Sequence, residues 1–66
     1  MKAILREETA FNGNTVRLEV DTFDLGEMFK IKIRKVSDCG FRYNSAWETL
    51  QEANNYFNKL IRGGMR

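Results

Sequence analysis

The sequence predicts an α+β domain: an antiparallel meander of three or four strands (β-β-β-(β)-α) with one C-terminal helix packed on one face of the sheet. Three observations lead there. Val16, Leu18 and Val20 alternate with Arg17, Glu19 and Asp21, the period of two that a half-buried strand needs. Phe29, Ile31 and Ile33 repeat that period against Lys30, Lys32 and Arg34. Ala46, Leu50, Ala53, Phe57, Leu60 and Ile61 instead fall on one helical stripe, with Glu48, Gln51, Glu52, Asn55, Lys59 and Arg62 opposite.

The elements follow in order. A first strand over about residues 2–11 joins a second, 15–22, through Asn12-Gly13, the pair best suited to a two-residue type I′ turn. That turn sets Phe11 against Asn14, Thr9 against Val16 and Leu5 against Val20, which sends Ala3, Leu5 and Phe11 to the apolar side. Glu7 then points inward, against the pattern. An even loop centred on Leu25-Gly26 leads to a third strand, 28–37, and keeps Val20 and Ile31 on one face. A three-residue loop, Asp38-Cys39-Gly40, pairs Ser37 with Phe41 and adds a short fourth strand, 41–44, with Phe41 and Tyr43 on the inner face. Ser45 and Glu48 form a Ser-x-x-Glu capping box that opens a helix over about 46–62. Gly63-Gly64 stop it, and residues 63–66 are expected to fray.

A chain of 66 residues has material for one core, so residues 1–66 are read as a single domain. It contains no His and a single Cys, which removes the commonest general base, the usual zinc ligands and any internal disulfide. Cys39 lies in a turn with no base to activate it. Asp21, Asp24 and Glu27 invite comparison with a calcium loop. With Gly26 aligned on that loop's invariant glycine, Phe23, Leu25 and Lys32 occupy positions that require oxygen ligands. No phosphate-binding glycine motif occurs. The expectation is a protein that is not an enzyme and takes no cofactor, metal or small-molecule substrate. Ala3-Ile4-Leu5 is too short an apolar run for an export signal or a membrane span, so a cytoplasmic location without membrane association is expected.

A small domain without chemistry acts by contact, and the expected role is an interaction module, an accessory or regulatory protein that binds a protein partner or itself. Phe23, Trp47 and Tyr56 are the candidate contact residues, because these rings exceed what so small a core needs. The alternative is nucleic-acid binding through the outer face of the sheet by Arg17, Lys30, Lys32, Arg34 and Arg42, with Arg6 beside them. The predicted registers set Glu8 against Arg17, Glu19 between Arg6 and Lys32, and Asp21 against Lys30, which neutralises much of that charge. They also place Phe29, Phe41 and Tyr43 under the helix, leaving the basic face without stacking platforms. Protein contact is therefore the first expectation. Three strands followed by a helix, in that order, make the chain similar to the AP2-type plant domains and to the N-terminal domains of some phage and transposon integrases, which insert their sheet into the major groove. That resemblance implies that Arg17, Lys30, Lys32, Arg34 and Arg42 face DNA.

Overall fold

A computed structural model describes residues 2–24 and 26–63. Leu25, at the predicted second turn, and residues 64–66 of the predicted frayed tail lie outside the described residues. The elements are β1 (Lys2–Thr9), β2 (Thr15–Phe23), β3 (Gly26–Arg34), β4 (Arg42–Trp47) and α1 (Leu50–Ile61). The strands form one antiparallel sheet in the order β1-β2-β3-β4, so the predicted meander and its C-terminal helix are both present.

The two strongly alternating strands behave as predicted. Val16 stands opposite Ile33, Leu18 opposite Ile31 and Val20 opposite Phe29. The hairpin closes between Phe23 and Gly26, a slip of two residues from the expected pairing, and an even slip leaves every side chain on its face. Val16, Leu18, Phe29 and Ile31 are buried with Ala53 and Phe57 of α1. Val20, Ile33, Trp47, Tyr56, Leu60 and Ile61 surround this cluster and are partly buried.

The other two hairpins slip by odd numbers, and the faces reverse. In the first, the Ala10 N–H donates to the Asn14 carbonyl at 2.7 Å and the Gly13 N–H to the Ala10 carbonyl at 2.9 Å. Gly13 has φ +91° and no described non-glycine residue has a positive φ, so Asn12 cannot take the type I′ conformation. The loop is the three-residue kind with glycine in the left-handed position. It sets Glu8 opposite Val16, Glu7 opposite Arg17 and Arg6 opposite Leu18. Glu7 therefore lies on the outer face, which removes the predicted conflict, and Arg6 and Glu8 turn toward the helix. A bulge at Leu5 then resets the phase, so that Ala3 meets Val20. Leu5 and Phe11, expected on the apolar side, are exposed at 43% and 77%.

Arg6 replaces them as the link between β1 and the helix. Its guanidinium lies 4.1 Å from the centroid of the Phe57 ring, donates to the side-chain carbonyl oxygens of Asn54 and, at 3.1 Å, Asn58, and reaches Glu8 at 2.6 Å. A charged group is satisfied there because Asn54 and Asn58 sit one turn apart on α1 and present two acceptors to one planar fork.

The helix begins later than predicted. Ser45 lies in β4, opposite Ile31, where its hydroxyl accepts from the Trp47 indole N–H at 3.0 Å. The cap is Thr49, which accepts from the Glu52 N–H at 3.3 Å and donates its hydroxyl to the Glu52 carboxylate at 2.9 Å. Both Ser45 and Thr49 are followed three residues later by Glu; pairing of Phe29 with Trp47 extends the strand through the first box and leaves the second to cap. Thr49→Ala is therefore expected to lower stability by about 1 kcal/mol. Ser45→Ala should leave the helix start unaltered, as amide exchange at Gln51 and Glu52 would report.

Candidate nucleic-acid interface

With α1 on one side, the opposite face of the sheet is uncovered. Its floor is set by register: the positions that alternate with Val16, Leu18, Val20, Phe29, Ile31 and Ile33 must point outward. Arg17, Lys30, Lys32 and Arg34 occupy those positions, as predicted, joined from β1 by Lys2 and Glu7. Three predicted members leave the face. Arg6 is turned inward by the one-residue slip of β1, and Glu8 goes with it. Arg42 stands opposite Ile33, on the helix-side register, and its Nε lies 3.5 Å from Asp38.

Carboxylates thread through the cations. Lys32 lies 3.1 Å and Arg17 3.5 Å from Glu19, Arg17 also meets Glu7 at 2.8 Å, and Lys30 is 3.6 Å from Asp21. The pairs of Lys32 with Glu19 and Lys30 with Asp21 are those predicted, whereas Glu7 takes the place expected for Glu8. Glu19 is only 8% exposed although no element covers this side of the sheet, because the stems of Arg17 and Lys32 close over it. Arg34 has no carboxylate partner among the described residues.

The aromatic residues are the main correction. β4 was predicted to pair in phase with a strand running to residue 37, but β3 ends at Arg34 and residues 35–41 form the connection. Ile33 faces Arg42 and Lys32 faces Tyr43, an odd slip of three from the predicted register, and the face of Tyr43 reverses. An extra residue, Asn44, then restores the phase, so that Ser45 and Trp47 point inward opposite Ile31 and Phe29. Tyr43, expected under the helix, is thus on the basic face and 64% exposed. Phe41, expected there too, lies beneath the guanidinium of Arg17, 3.9 Å from its ring centroid, with that of Arg34 at 5.3 Å. Such stacks contribute about 0.5–1 kcal/mol each at exposed sites and hold both guanidinium planes in place. Phe29 alone of the three is buried under α1 as predicted. The second capping box was the one local signal for a longer β4; nothing local announces the bulge at Asn44.

Between β1 and β3 the face carries an open depression of about 440 Å³ lined by Lys2, Ala3, Ile4, Glu19 and Lys32. Of the three predicted protein-contact residues, Trp47 and Tyr56 come together and Phe23 lies apart. Trp47 and Tyr56 pack against each other at 5.3 Å between ring centroids and against the core. Phe23, 55% exposed, sits at the far end of β2 on the outer register. Among the described residues no group of three or more His, Cys, Asp or Glu side chains is placed to hold a metal ion, and no helix is long and apolar enough to cross a membrane. No protein-family model, curated protein or solved structure matches the chain.

Proposed function

We propose that the protein is a non-catalytic nucleic-acid-binding module that uses the uncovered face of its sheet. One observation carries this reading: Phe41 and Tyr43 stand on the same face as Arg17, Lys30, Lys32 and Arg34. Cations supply attraction to phosphates, Tyr43 supplies an open ring for stacking on a base, and Phe41 holds the guanidinium of Arg17 on the face; a surface that only keeps a sheet soluble needs no exposed ring. Packing of Trp47 and Tyr56 into the core edge favours this reading over contact through those rings. A lone exposed Cys39 suits action in a reducing compartment such as the cytoplasm. Self-association is the second reading, and the observation in its favour is the exposure of Ile4 and Leu5 on edge strand β1.

Titration of nitrogen-15-labelled protein with a mixed-sequence oligonucleotide at low salt tests the proposal. Amides of β3, β4 and the 35–41 connection should shift, and those on the solvent side of α1 should not. Arg34→Ala should weaken binding across sequences and reduce the slope of log K against log salt by about one, because Arg34 is free to replace a counterion. Arg42→Ala, held by Asp38 off the face, should do neither. Unperturbed spectra at low salt would sink the reading, as would shifts confined to β1 that appear with protein concentration alone.

A further inference from the structure

We infer that the strand bound is single rather than duplex, with one base stacked on Tyr43; this rests on the reading that the outer sheet face binds nucleic acid. A duplex presents phosphates and hides its rings, so a face suited to it would set cations in an unbroken strip. Here Glu7, Glu19 and Asp21 interrupt the strip, and their partners Arg17, Lys30 and Lys32 are already engaged. Against duplex backbones those carboxylates repel. Against an unpaired strand the exposed carboxylate of Glu7 faces base edges, whose amino groups donate hydrogen bonds that it accepts, while Glu19 stays closed beneath Arg17 and Lys32.

The remaining features fit the same ligand. Tyr43 is 64% exposed near the start of edge strand β4, where its ring has no partner ring among the described residues and offers a π-face to a base. The depression beside Ile4 and Glu19 spans β1, β2 and β3, and Lys32 on its rim stands opposite Tyr43 in the β3–β4 pairing. Lys30 lies on the same face of β3, where a phosphate linking the two bases would pass. A splayed base can rest against this shallow, open depression; a base held in a duplex stack cannot. Arg34, an outer-face guanidinium with no carboxylate partner among the described residues, sits at the end of the sheet next to Phe41, where it would take a flanking phosphate.

The test uses the full chain and a short fluorescein-labelled oligonucleotide of mixed sequence, alone and annealed to its complement, read by polarisation at low salt. The single strand should bind at least about tenfold more tightly than the duplex, and Tyr43→Ala should cost it about tenfold, the usual effect of removing one stacking ring. Tyr43→Trp should retain or raise affinity. Tyr43 is exposed, so neither substitution threatens the fold, and unchanged far-UV circular dichroism checks this. Equal or tighter duplex binding, or a Tyr43→Ala protein with unaltered single-strand affinity, overturns the inference while leaving nucleic-acid binding in place. Absence of binding to either form overturns both.

Discussion

Phe57→Ala is expected to leave the chain largely unfolded, or close to its midpoint, in water at ambient temperature. Phe57 is the largest fully buried side chain, and it touches two different things. Its edge packs among Val16, Leu18, Ile31 and Ala53 in the cluster between sheet and helix. One face of its ring carries the Arg6 guanidinium. Truncating a buried phenylalanine costs about 3–5 kcal/mol through lost transfer energy and the cavity left behind. A domain of this size holds on the order of 3–10 kcal/mol in total, so the loss removes from about a third to all of it. Urea unfolding followed by circular dichroism measures the effect. Phe23→Ala, at an exposed ring, should move stability by no more than about 0.5 kcal/mol. Comparable midpoints for the two variants would mean that the helix does not rest on the sheet through Phe57.

Removal of Arg6 should have the next largest effect, about 2–3 kcal/mol for Arg6→Ala. The side chain makes charge-assisted hydrogen bonds to Asn54, Asn58 and Glu8 and stacks on Phe57, and its loss strands partly buried amide oxygens and a carboxylate. Lys30→Ala breaks an ion pair with Asp21 on the open face and should cost under about 1 kcal/mol. The contrast separates the two faces of the sheet, because the pattern of alternation predicted both cations on the same one. Hydrogen exchange sharpens it: in Arg6→Ala the amides of β1 should lose protection before those of β2 and β3, since Arg6 is the β1 side chain that reaches α1. Uniform loss of protection across the sheet would assign Arg6 a general role in folding and not a clamp on β1.

How much of this was legible varies strand by strand. β2 from Val16 to Asp21 and β3 from Phe29 to Arg34 alternate cleanly, so any register that buries Val16, Leu18, Ile31 and Ile33 is acceptable and any other is costly; an error of two residues in the turn did no harm. β1 has no such pattern. Lys-Ala-Ile-Leu-Arg-Glu-Glu-Thr can be laid down in either phase, and the misfit of Glu7 was the trace of the wrong one. β4 reads Arg-Tyr-Asn-Ser-Ala-Trp, also without strict alternation, and its faces depend on a connection whose length the turn residues do not specify. For the candidate site the basic positions on β2 and β3 were readable and the aromatic ones were not, which reversed the order of the two functional readings.

Element types, their order and the identity of the central core are properties of local pattern: a two-residue or near four-residue recurrence of apolar side chains names the element and its buried side whatever lies elsewhere. Left to long-range packing were the two edge strands. There a single bulge residue, Leu5 in one and Asn44 in the other, exchanges the sides of the sheet. A bulge is placed by how well a whole strand pairs and packs with its neighbour, an energy summed over residues far apart in the chain, and no short stretch of sequence carries it. Arg6 beneath the helix and Tyr43 on the open face both lie on the hairpin side of those bulges, where the length of the connection sets the phase.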